Sequence, residues 1–114
     1  MNKTFLIGRT TKDIELKTTT TGTSIARFVL AVDRRRKEKE ADFISCVAYA
    51  KNAELISQYV KKGNKIGVIG HIQTGQYEKN GQKVYTTEVI VDEVEFLEKK
   101  EATEITYTNE SLPF

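Results

Sequence analysis

This sequence predicts an all-β domain with one short helix, and three observations predict it. Asn80-Gly81 stands between two runs rich in Val, Ile, Tyr and Thr. That pair suits a type I′ turn, which needs positive φ at both central residues and is the strongest short-range hairpin signal. Upstream, apolar and polar residues alternate with a period of two, as in half-buried strands. Only 51–62 shows helical spacing.

The elements follow in order. Phe5-Leu6-Ile7 is a first strand ending at Gly8-Arg9, and 10–13 is a break. Ile14, Leu16 and Thr18 alternate with Glu15 and Lys17 as a half-buried strand, closed by a turn at Thr18–Gly22. In Ser24–Asp33, Phe28, Leu30 and Val32 share one face and Arg27, Val29 and Ala31 the other. RRRKEKE at 34–40 reads as an exposed loop, and Phe43–Tyr49 as another strand. Ala53, Ile56 and Val60 mark a helix, widened by Leu55 and Tyr59. Asn52 is its expected cap, Lys61 and Lys62 suit its C-terminal dipole, and Gly63 suits the left-handed residue past its end. Pairing back from Asn80-Gly81 sets Glu78 opposite Lys83 and Tyr77 opposite Val84. Opposite charges and an aromatic facing a β-branched residue favour that register. Each arm can run about ten residues, beyond the usual five or six, so the hairpin is expected to project. Val94, Phe96 and Leu97 close the last strand.

A helix between the third and fourth strands of a five-stranded closed sheet is the OB-fold arrangement. A small α+β sandwich is the competing architecture. Phe28 and Phe96 are expected in the core. Residues 1–97 form the domain, and 98–114 read as a flexible tail, poor in large apolar residues.

Composition bounds the function. The 114 residues suit one domain, and assembly into an oligomer would help so small a β-rich chain. No apolar run approaches the roughly 20 residues that span a bilayer, and no signal peptide is read at the start. The lone Cys46 fits a small core residue in a reducing compartment, so a cytoplasmic protein is expected. Net charge is +2, unevenly spread. Residues 98–114 hold 2 basic and 4 acidic residues, leaving 16 against 12 in the body, a net of +4. A basic body with an acidic tail points weakly to a polyanion partner.

Catalysis finds little support. His71 reads as a strand residue, and His71 with Cys46 falls short of a zinc site. Asp33, Asp42, Asp92 and Glu93 sit at strand ends, where exposed acids are ordinary. Gly67 and Gly70 lie within a strand, marking a bend or close backbone approach rather than a phosphate loop. No catalytic residue, metal or cofactor is expected. Single-strand binding fits better, because bases stack on aromatics beside cations that follow the backbone. Phe43, Tyr49 and Tyr77 are the candidate stacking residues. By alternation Phe43, Ser45, Val47 and Tyr49 share a face; the competing reading puts these aromatics in the core. Arg34, Arg35 and Arg36 form a candidate phosphate clamp beside Phe43, with Lys51 after Tyr49 and Lys79 and Lys83 after Tyr77.

Several ordered segments carry a resemblance: NKTFLIGRTTKD, GTSIARFVLAVDR, DFISCVAYAKNAELISQYVKKG, VIGHIQTGQYEKNGQKVYTTEVIVDEVEFL and the final LPF. The chain resembles the bacterial and phage single-stranded DNA-binding protein (SSB) family over nearly its whole length. The resemblance implies an OB fold that assembles as a homotetramer and wraps single-stranded DNA without sequence preference, in replication, recombination and repair. It places base stacking at Phe43, Tyr49 and Tyr77, and polar DNA contacts at Arg9, Arg34, Arg35, Lys51, Lys65 and Gln73. Arg36 stands where the family often has a further stacking aromatic, and the segment around Lys3–Gly8 resembles the one that pairs subunits. It implies a tip at Glu110, Leu112, Pro113 and Phe114 that docks into partner proteins. Family tails have a longer linker and more acids before the final Pro-Phe. An accessory paralogue acting mainly through protein contacts is therefore the alternative.

Overall fold

The structure is a computed structural model that describes residues 1–35 and 37–98. Its elements are β1 (Thr4–Thr10), β2 (Glu15–Thr18), β3 (Ser24–Arg34), β4 (Lys37–Tyr49), α1 (Ala50–Tyr59), β5 (Lys65–Lys79) and β6 (Gln82–Phe96). The six strands delineated match the six strand segments read in the sequence, one more than the five of the expected OB arrangement, in the order β1-β5-β6-β4-β3-β2 with an added β1–β3 pairing. The difference lies at the 11–14 break. β1 meets β3 at Leu30 and Ala31, and β2 meets the same edge of β3 from Ser24 to Arg27. The two strands thus act as halves of one broken strand, and β1–β3 closes a ring of five strand positions. Closure with a single helix after the third position is the OB arrangement. All pairings are antiparallel except β4–β6, which is parallel through Cys46↔Val89 and Val47↔Ile90.

The barrel fills from alternate residues. Ala26, Phe28 and Leu30 on β3, Cys46 and Ala48 on β4, Ile66 and Val68 on β5, and Val89 and Val91 on β6 point inward. Ala53 and Ile56 of α1 join the same cluster. Gly70 is required here: a Cβ would lie 2.1 Å from the Ile90 carbonyl oxygen, so β5 and β6 approach closely where β6 bulges opposite Ile69 and Gly70.

Several local expectations need correction. β2 is exposed throughout rather than half-buried, because it lies outside the closed ring; only Ile14, just before it, packs on the core. The charged 34–40 segment is no simple loop: β3 and β4 extend as a hairpin through Arg34↔Lys37, and cross-strand pairing satisfies a backbone that needs no core. Asn52 does not cap α1. The cap position is Tyr49, without a side-chain bond, and the Asn52 amide donates instead to the carbonyls of Val91 and Asp92. Lys61 and Lys62 lie beyond the helix, which Val60 ends. Gly63 does have positive φ, 86°, but in the turn into β5. Phe96 is 38% exposed rather than core, edge to face against Tyr59 with centroids 5.7 Å apart. The long hairpin has the expected register, Tyr77↔Val84 and Glu78↔Lys83, and Asn80 and Gly81 have φ of 54° and 80°. Its strands run 15 residues each, longer than the sequence suggests, because they continue into the barrel wall.

Candidate nucleic-acid interface

Strand pairing decides which candidate side chains can act together. Phe43, Ser45, Val47 and Tyr49 share the outward face of β4, since Cys46 and Ala48 fill the core. Phe43 is 68% and Tyr49 40% exposed, so the reading that buries them fails. Val47 between them is buried, so the platform is two separate rings rather than a continuous strip. Six residues of strand put them about 20 Å apart. Val47 pairs with Ile90, Ile90 with His71, and Gln73 with Glu88. The period of two therefore places Gln73, Tyr77 and Lys79 on that same outward face of β5. Tyr77 is 52% exposed. The structure thus brings Phe43, Tyr49, Tyr77, Gln73 and Lys79 to one face.

Lys83 is the exception on the hairpin. It pairs with Glu78, one residue out of phase with Tyr77, and so faces the other side with Tyr85.

The other cations divide. Arg9 pairs with Lys65 on one side and Ala31 on the other, and Ala31 pairs with Phe43. Lys65, Arg9 and Phe43 therefore lie in one row across the wall, with Arg9 two strands from Phe43, about 10 Å in the pairing direction. Twelve residues of β5 separate Lys65 from Tyr77, about 40 Å, so those two do not meet. Arg9 is already engaged: its guanidinium donates to the Gly63 carbonyl at 2.9 Å and to Glu98 at 3.2 Å. The Lys65 amide also donates to Glu98, and these contacts, Arg9's first, hold the Glu98 carboxyl below its ordinary range. Glu98, assigned to the tail by its sequence, is thus tied to the barrel.

Arg34 bonds Asp42 at 3.0 Å and Glu40 at 3.3 Å, so two acids share the first arginine of the run. Arg35 is exposed in the turn between β3 and β4, and Lys51 is exposed in the first turn of α1 beside Tyr49. Arg36 and the tip residues Glu110, Leu112, Pro113 and Phe114 lie outside the described residues.

Two residues escaped the sequence reading as site candidates. Arg27 bonds Glu88 at 2.7 Å on the outward face, and Tyr85 is a 72% exposed aromatic. The alternation that located Tyr77 would have put Tyr85 on the opposite face. Nothing in the sequence gives the β3–β4 register that sets Arg27 against Val47.

Burial, with the Glu88 charge, pushes the Cys46 thiol up to about 12, leaving it protonated and inert. His71 Nδ1 lies 3.1 Å from Asp92 Oδ2. Among the described residues no three His, Cys, Asp or Glu side chains cluster as metal ligands. Nor, among those residues, is any helix long and apolar enough to cross a membrane.

With this geometry in hand, the comparisons are specific. The model of the single-strand binding protein family matches residues 1–97. The chain belongs to that family. Among its relatives, the single-stranded DNA-binding protein of Clostridium perfringens is 51% identical over 100 residues, covering 86% of this chain and 67% of the relative. Single-stranded DNA-binding protein 1 of Staphylococcus aureus strain Mu50 is 47% identical over 109 residues, covering 91% of this chain and 70% of the relative. The fold agrees with the family. A Plasmodium falciparum SSB solved in complex with single-stranded DNA superposes with a TM-score of 0.78 at 29% identity, over 86% of this chain and 96% of that one.

Proposed function

We propose that this chain binds and protects single-stranded DNA without sequence preference. The observation that carries the reading is the exposed set Phe43, Tyr49 and Tyr77 on one outward face, with Gln73 and Lys79 on it and Arg9 and Lys65 in line with Phe43. Every base offers a π-face, so stacking tolerates any sequence, while cations meet the phosphates. Lys51, Arg34, Arg35, Arg36 and Lys83 complete the basic set, with Lys83 reaching the strand from the far side of the hairpin. The protein works by binding alone, with no cofactor, in replication, recombination and repair in the cytoplasm at the nucleoid.

Residues 1–97 are the binding domain, and four copies assemble. In support, β1 pairs β5 along one edge but β3 only at Arg9 and Thr10, leaving 4–7 an open edge among the described residues. Phe5 and Ile7 are exposed beside it, in an apolar hollow of about 410 Å³ that includes Ile69 and Leu97. Open edges and apolar faces of this kind pair with a second copy. Residues 98–114 form a tail whose tip, Glu110 with Leu112, Pro113 and Phe114, recruits partner proteins.

The test is a titration of labelled oligo-dT with the wild type and a Phe43→Ala, Tyr49→Ala, Tyr77→Ala triple variant of unchanged Tm. Stacking contributes about 1–3 kcal/mol per base, so the triple variant should bind at least about a hundredfold more weakly. Unchanged affinity would refute the stacking reading.

A further inference from the structure

The stretch of β4 between the two stacking rings is not bare. Arg27 of β3 pairs with Val47, which lies between Phe43 and Tyr49 in the alternation of β4, one outward position from Tyr49 and two from Phe43. Its guanidinium bonds Glu88, which lies on β6, on the other side of β4. To reach that carboxylate at 2.7 Å, the Arg27 side chain must pass over β4 beside buried Val47. It nevertheless remains 57% exposed, so much of the guanidinium still faces solvent. With Glu88, Ser45 and Lys12 it lines a cleft of about 170 Å³ on this face.

A guanidinium presents five donors in a fixed fork, and one carboxylate leaves several of them free. A single strand with one base on Phe43 and another on Tyr49 must carry its sugar-phosphate backbone across the gap between them, over Arg27. We propose that Arg27 is a phosphate contact between the two stacking aromatics, with Glu88 as the positioning residue that draws its guanidinium across β4. The inference rests on the reading that Phe43 and Tyr49 stack bases.

The test measures oligo-dT affinity as a function of salt for the intact chain and for Arg27→Met, Arg27→Gln, Arg27→Lys and Phe43→Ala. Methionine keeps an apolar stem over β4 and removes the charge; glutamine removes the charge from a polar side chain; either folded variant decides. Each phosphate neutralised on a single strand contributes about 0.7 to the log–log salt slope. Arg27→Met and Arg27→Gln should flatten the slope by about that amount and weaken binding roughly three- to tenfold near 0.1 M salt, whereas Arg27→Lys should keep the slope. A merely structural arginine would change Tm and leave the slope alone. Wild-type slope and affinity in Arg27→Met, with Phe43→Ala weakened, would overturn this inference and leave the stacking reading standing. Wild-type binding by Phe43→Ala as well would overturn both.

Discussion

At the residue scale, the roles divide according to which groups have partners. Phe43 and Tyr77 leave their rings to solvent, whereas Arg9 and Arg34 are already held by carboxylates. The Arg9–Glu98 contact leads to a pH prediction. Glu98 has its pKa lowered in the folded chain, first by the Arg9 hydrogen bond and then by the Lys65 amide. Its contribution to stability is therefore present above the ordinary carboxylate range and disappears as pH falls through the depressed folded value. The pair is exposed, so the effect should be slight. Glu98→Gln should lower Tm a little at pH 7, with the gap closing in acid; a gap that persists or widens in thermal melts at low pH would show that the ion pair is not its source. None of this was legible in the sequence, because no local pattern tells that residue 98 returns to β1.

At the element scale, the long hairpin was the most legible part of the chain. Asn80-Gly81 allows the tight turn, and the charge pair beside it fixes the register, so both could be read from neighbouring residues. The β3–β4 hairpin lacked such a signal, and its charged arms looked like a loop, since period-two apolar alternation is absent where a strand leaves the core. Helix α1 was found by period, but its cap was misjudged, because Asn52 serves a tertiary contact with β6 rather than the helix end. β1 carries the prediction at this scale. If its open edge and the side chains of Phe5 and Ile7 join copies of the chain, Phe5→Lys with Ile7→Lys should convert the proposed tetramer to smaller species in sedimentation or light scattering. The same mass as wild type would exclude β1 from assembly.

At the scale of the whole molecule, the barrel provides a rigid wall and the hairpin extends it, within overall dimensions of 61 × 41 × 28 Å. A strand following the face would run from Tyr49 past Phe43, where the Lys65–Arg9 row meets it, and out along the hairpin to Tyr77. The sequence named these aromatics through the family resemblance and a simple alternation. It could not show that a β4–β6 parallel contact puts them on a common face, because that pairing joins segments some forty residues apart. The central claim is that this face, and not the exposed aromatic surface in general, holds the bases. Tyr77 and Tyr85 test it most directly, being exposed tyrosines on opposite faces of one hairpin. The deciding measurement is oligo-dT affinity of Tyr77→Ala against Tyr85→Ala, at a concentration where both keep the wild-type assembly. The account predicts about a tenfold or larger loss for Tyr77→Ala and nearly wild-type binding for Tyr85→Ala. Equal losses, or a larger loss at Tyr85, would contradict it.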